Sequence, residues 1–506
     1  MKKSLLLLLS PLTSLAQTAI EVKPIRQFVE TGGFYATSAQ TPFWLRANQY
    51  GIVPLQLPYA TLRAGVWQDD RYHPVNDSKT PKKCNFIGFG YGVELVGNTA
   101  AGAKTALLIP ELYAKMHIGA FDLVAGRRRE VVGLVDSTLS SGSYSWSGNT
   151  LPLPKIQISL AQYTSIPFTR DVIAIRGLFA HGWFDNGFVR NSYLHQKALY
   201  GRLGKPTWPV KLYAGFNHQV QWGGTTSELS EGLAKNGRLP ANVESYYYMT
   251  IGKSLGAKTS VDTSYYSQFD REHRIGNHLG SIDLGLEVST RAFSILLYRQ
   301  SIYEDGSLFY GTNLEDGLHG IRFRNLNTRP RHFRITGAVA ELLYTKSQGG
   351  GVFEDLDKLR GRDNYFNHSQ YRNGWSYFGQ TIGTPFITPM IETRPNLPRY
   401  GFSNNNRVRV YHAGVQGAFA RSAVFALKVS YSQNYGTYDM PFPTTTEQLS
   451  SYLQLGIPLN QNGLLVTVSA ASDQGGLLPN SNGLYAGIRK TWDYYKYRLA
   501  GRGVMN

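Results

Sequence analysis

The chain has 506 residues with 33 Tyr, 24 Phe, 53 Gly and one cysteine, Cys84. A lone cysteine excludes an internal disulfide framework and any CxxC metal site, and nothing in the sequence calls for a cofactor. The net charge of +18, which becomes +16 when Lys2 and Lys3 are removed with a leader, points to an acidic partner.

The leader is residues 1–16, "MKKSLLLLLSPLTSLA", two lysines before a leucine-rich core and a small-x-small end at Ser14 and Ala16. It reads as a secretory signal cut before Gln17. For an exported chain the acidic partner is an anionic glycan or a lipid A phosphate; nucleic acid is excluded. No later stretch approaches the roughly 18 apolar residues of a membrane helix.

Residues 59–506 read as one large unit of strands, and residues 17–58 as an N-terminal segment that enters or plugs it. In "NFIGFGYGVEL", Ile87, Phe89, Tyr91, Val93 and Leu95 share one face, while Gly88, Gly90, Gly92 and Glu94 share the other. "KLYAGFNHQ" (211–219), "SIDLGLEVS" (281–289) and "AVFALKVSYSQN" (423–434) alternate in the same way, the mark of strands with one greasy face. Weaker alternation is read at 59–68, 104–118, 155–163, 171–182, 245–254, 259–270, 292–303, 331–345, 407–420, 448–457, 463–472 and 483–493. The total is about 16–18 strands of ordinary length. Helical spacing is read at 190–204 and 227–240, and 346–406 is a polar insertion too long for a periplasmic turn, hence outer-facing.

A soluble sandwich also alternates. The leader, the Tyr and Trp near strand ends, and the small or charged residues opposite each apolar face favour an all-β, large antiparallel transmembrane barrel in a Gram-negative outer membrane. Closure also removes the edges that so many strands would expose.

Catalytic signatures fail: there is no GxSxG, HExxH or P-loop, and "GFGYG" is a row of small residues on one strand face. Glu-Asp-Gly occurs at 304–306 and 315–317, and its ordinary role is a tight turn. Sugars present apolar C–H faces ringed by hydroxyls, so aromatic planes beside amides, imidazoles and guanidinium forks are the side chains to look for. Trp44 and Arg46 in "TPFWLRANQ", Trp183 in "HGWFDNGF", and His218, Gln221 and Trp222 in "NHQVQWGG" supply that mixture. Arg329, Arg331 and Arg334 add forks suited to acidic groups. These nine are the candidate polysaccharide-binding residues.

At those residues the chain resembles the Wzi-type capsule assembly proteins, in their Bacteroidetes-like form. The likeness is carried by "ATSAQTPFWLRANQYGIVP", "HGWFDNGFVRNSYLHQKALYGRLG", "KLYAGFNHQVQWGGT" and "YRQSIYEDGSLFYGTNLEDGLHGIRF", which span residues 36–323. The resemblance implies an outer-membrane barrel of about eighteen strands, its lumen occluded by helices and loops. It also implies lectin-like, non-catalytic attachment of capsular polysaccharide. The expected partners are therefore a surface polysaccharide together with outer-membrane lipid and lipopolysaccharide. The chain departs from the usual barrel ending, finishing in "GRGVMN" without a terminal aromatic. Two other readings remain open from the residues: an oligosaccharide channel, and a surface hydrolase using Glu304, Asp305, Glu315 or Asp316.

Overall fold

The computed structural model describes residues 25–494 except 57–58, 69–86, 101–105, 185–186, 256–260, 305–310, 328–331, 353–360, 420–422 and 460–461. The leader, Cys84, Asp305, Arg329, Arg331 and the chain ending lie outside the described residues.

Alternation at period two gives each strand a wet and a greasy row, and a sheet that closes on itself sorts those rows into lumen and outer wall. Eighteen antiparallel strands close in this way. The seam is the pairing of the first strand, Ile25–Ala36, with the last, Ser481–Tyr494, in register from Ile25↔Tyr494 to Ala36↔Gly483. The outcome inverts a soluble protein. Phe89 and Leu107 are 68% and 69% exposed on the wall, whereas Glu94 and Asp283 are 3% and 0% exposed within. That sidedness fits hydrocarbon outside and a polar interior. The glycine row of "GFGYG" faces inward with Glu94, against the lumen side of Ala106–Ile118.

The two ends of the barrel differ. Ile25 and Tyr494 meet at one end, where the connections 119–120, 166–172, 204–209, 290–292 and 459–463 are short. At the other end lie 37–58, 128–154, 223–276 and 345–407, which are long. Outer-membrane barrels carry short turns on the periplasmic side and long loops outside, so the second end is the outer face and 346–406 is on it.

Several sequence expectations are corrected. The barrel begins at Ile25, before residue 59; its first strand hid because Phe28 and Phe34 face the lumen while Gln27, Thr31 and Gly33 face out. Residues 190–204 are not helical: Tyr193–Leu203 is a wall strand. Leu194, Ala198 and Tyr200 fill the lumen side, which put apolar residues on both faces and imitated helical spacing. Residues 227–240 form turns, broken where Asn236 and Gly237 take φ of 50° and 69°. The helix starts later, at Val243–Ile251, where Asn242 accepts the Ser245 N–H at 2.7 Å as an N-cap. Residues 245–254, read as strand, therefore belong to that helix, and 259–270 leads into the short helix Gln268–Glu272.

The lumen is filled chiefly by loops, with a single helical turn, Phe43–Arg46, inside it. The described parts of 37–58, 128–154 and 345–407 fold inward into one core containing Trp44, Tyr144, Tyr365, Phe366 and Trp375, each at most 1% exposed. Buried acids on the wall hold this plug by accepting its N–H and O–H groups. Asp473 accepts Phe43 N–H at 2.7 Å, Asp283 accepts Leu134 N–H at 2.9 Å, and Glu341 accepts Ser141 N–H at 2.6 Å. Each acid thereby satisfies backbone that would otherwise be buried without a partner. Gly374 sits at φ 65° with its Cβ position 2.3 Å from the Phe366 carbonyl, so only glycine brings Trp375 into place.

Candidate functional site

The structure separates the seven candidate residues that it describes; Arg329 and Arg331 lie outside the described residues. His218 and Trp222 sit on the outward row of Val210–Trp222, but both are buried: the helix Val243–Ile251 packs on Trp222, which meets the Tyr246 ring at 5.5 Å, and His218 Nε2 is hydrogen-bonded to His278 Nδ1 at 2.9 Å. Gln221 has the opposite parity and faces inward, donating to Ser192 Oγ at 2.9 Å. Trp183 is 40% exposed on the outer wall, edge-on to His181 at 5.1 Å, in the position of an interfacial girdle residue.

Trp44 and Arg46 lie in the plug core. The Trp44 indole donates to Ser430 Oγ at 3.1 Å, and Arg46 pairs with Glu392 at 2.7 Å, both partners 5% exposed. They hold the plug and cannot meet a polymer outside it. Arg334 is at the opposite end of the barrel, where Ile25 and Tyr494 meet, its guanidinium on the Asn327 carbonyl at 3.0 Å, and it does not join the tryptophans.

Glu304 and Asp316 of the Glu-Asp-Gly repeats are plug anchors. Glu304 accepts the Tyr144 hydroxyl at 2.8 Å and Phe366 N–H at 2.9 Å. Asp316 accepts the Tyr365 hydroxyl at 2.8 Å, Gln348 N–H at 2.7 Å and Ser347 N–H at 3.0 Å. Burial pushes Asp316 up to about 6, against the opposing pull of those donors. Two arginines of the 127–129 run are likewise engaged inside, Arg129 on Glu94 at 2.8 Å and Arg127 on the Tyr377 hydroxyl at 2.9 Å.

A different group stands on the outer face, where 345–407 meets the short connection 437–440. Asp439 is its hub. Arg362 donates to Asp439 Oδ1 at 2.5 Å, and the Tyr400 hydroxyl donates to Oδ2 at 2.5 Å. Asn364 reaches both Tyr400 and Asp439 at 3.4 Å, while Asn367 and Asn406 donate to Asn364 Oδ1 at 2.9 and 2.6 Å. Beside them the Arg407 guanidinium lies 3.8 Å from the centre of the Tyr438 ring. Desolvation, reinforced by the Asp439 carboxylate, pushes Tyr400 up to about 12, so it stays a neutral donor. Arg362 and Asp439 remain 43% and 35% exposed. Rings, amides, a fork and a carboxylate facing water are the chemistry that holds sugar hydroxyls and acidic sugars. The sequence hid this group because its members are separated in the chain; the one trace was the density of Asn, Arg and Tyr in "GRDNYFNHSQYRNGW".

Among solved structures, the chain is similar to Wzi of Escherichia coli, an outer-membrane protein involved in group 1 capsule assembly and described as a carbohydrate-binding β-barrel. The match has a TM-score of 0.55 and 13% identity, over 95% of this chain and 86% of that one. OccAB4 of Acinetobacter baumannii matches with a TM-score of 0.46 and 9% identity, over 94% of this chain and 99% of that one. OccK3 of Pseudomonas aeruginosa gives 0.42 and 11%, over 94% and 96%. No known family profile and no curated protein sequence matches the chain. The class is thus a large outer-membrane β-barrel of Gram-negative type, with eighteen strands.

Proposed function

We propose that this barrel attaches an acidic polysaccharide to the cell surface without chemically altering it, and that the outer group around Asp439 is where the polymer is held. The observation that carries the reading is the combination of a lumen packed with fully buried aromatics and a sugar-competent polar group displayed above it. A conducting pore needs a wet path, whereas Trp375 and Tyr144 occupy this lumen at 0% exposure. The Wzi of the comparison is described as carbohydrate-binding and involved in capsule assembly, which agrees with the reading. Each sugar contact is weak in water; a repeating polymer meeting many copies of the barrel is retained through effective concentration. The positive excess adds long-range attraction, which salt screens.

The test is the double substitution Arg362→Ala with Tyr400→Phe. It should release polysaccharide from cells into the medium while leaving barrel abundance in the outer membrane unchanged. Retention equal to wild type removes the Asp439 group from the site. Shortening of the polymer by purified protein would replace attachment with hydrolysis.

A further inference from the structure

The outer wall carries a groove of about 1140 Å³ that the glycan reading does not use. It lies between two rows of outward side chains that run across the strands. Register pairs define the lower row, Leu203, Leu212, Leu286, Leu297, Ile321 and Ala340. The row above is Gly201, Ala214, Leu284, Arg299, His319 and Leu342. Gly201 and Ala214 leave the trough wide at one end, and exposed leucines such as Leu284 (55%) and Leu297 (47%) form its sides. Such a surface suits a hydrocarbon chain.

The upper row is broken by charge. Arg299 and His319 are direct register partners, and Leu284 and Leu342 flank them in the same row. Below Arg299 on its own strand the outward residues are Phe293, Ile295 and Leu297; above it are Ser301 and Tyr303. A guanidinium therefore interrupts the apolar wall, which ends on this strand but continues one row higher through Ile282 and Phe216 on the neighbouring strands; its Nε donates to Ser301 Oγ at 3.1 Å and an Nη to the Leu314 carbonyl. One row higher, Tyr344 and Arg409 are register partners, with the guanidinium 5.4 Å from the ring centre. Among the described residues neither arginine forms an ion pair with a carboxylate. Arginine at lipid depth is costly, and it persists where an anion or a polar path repays it.

We infer that the groove is a binding site for a phosphorylated lipid of the outer leaflet, with an acyl chain in the trough and a headgroup phosphate on Arg299. The guanidinium supplies its charge and the amino group that Ser301 and Leu314 leave free to a phosphate oxygen, His319 borders the same headgroup, and Arg409 extends the basic rim. The site is independent of the polysaccharide reading, since it lies on the wall and not on the loops.

Native mass spectrometry of the full chain in detergent, titrated with purified bisphosphorylated lipid A, tests the assignment. Wild type should retain the lipid, and the dephosphorylated form should bind at least about tenfold more weakly, the scale of a charge-assisted hydrogen bond. Arg299→Gln should weaken binding about tenfold, and Ala214→Phe should block the trough and weaken it independently of charge. Arg334→Gln, at the other end, should bind like wild type. Should Arg299→Gln lose the heat-modifiable mobility of a folded barrel, Ala214→Phe alone decides. Equal binding of the dephosphorylated lipid, displacement by inorganic phosphate, or wild-type affinity in whichever groove variants fold overturns the inference.

Discussion

Asp316 illustrates how one side chain sets a pH response for the plug. Its carboxyl is held up at about 6 by burial, against 3.8 for the free group. Below about pH 4 it is protonated in the folded and unfolded chains alike, and stability is indifferent to it. Between about 4 and 6 the unfolded chain loses the proton while the native plug keeps it, so stability falls as pH rises, then levels off above 6. Thermal unfolding in detergent across that window should show this decline, and Asp316→Asn should flatten it; an identical slope in the variant would remove Asp316 as its source. Arg46 poses the complementary case, a buried cation matched to Glu392 at 2.7 Å. Arg46→Ala strands Glu392 without a counter-charge and should cost about 3–5 kcal/mol, whereas Arg46→Met with Glu392→Met should be nearly neutral. Urea midpoints of plug protease resistance distinguish the two. Neither residue's role was legible in the sequence, because Arg46 beside Trp44 has the same composition whether it grips a sugar or pins a loop.

Among the elements, the plug segments fill the lumen and the strands carry the frame. Strands with an unmixed greasy row, such as Ile87–Ala100 and Ala423–Gly436, could be read directly from alternation. Ile25–Ala36 and Tyr193–Leu203 could not, because lumen-facing aromatics and leucines contact the plug and blur the two-sided pattern. The same packing explains the false strand at 245–254: its tyrosines and Met249 alternate only loosely, and the Asn242 cap starts a helix that covers Trp222. The "NHQVQW" stretch was thus legible as amphipathic strand but not as a site, since its parity sends His218 and Trp222 outward and Gln221 inward. Trp375 anchors the longest plug loop, its indole donating to the Ser145 carbonyl at 2.8 Å. Trp375→Ala should destabilise the plug by about 3–5 kcal/mol and produce intermittent current steps in planar bilayers, where the wild type is expected to be silent. A silent variant would mean that the other two inward segments seal the lumen unaided.

For the whole molecule, closure, plugging and charge act together. The closed wall leaves its described strands without a free edge, three of the long connections turn inward to fill most of the lumen, and the Asp439 group stays exposed at their outer end. The sequence showed the barrel, because it follows from periodicity, and assigned 346–406 to the outer face from its length alone. It did not show the Asp439 group, which exists only once residues 362–406 and 437–440 are folded against each other. A positive molecule holding an acidic polymer should bind less well as salt rises, and a polysaccharide titration at two ionic strengths reads that directly. The most direct measurement compares cell-bound with shed polysaccharide in cells carrying wild type or the Arg362→Ala, Tyr400→Phe variant at equal barrel abundance. Attachment through the outer face predicts a shift of polymer from cells to medium; an unchanged distribution contradicts it.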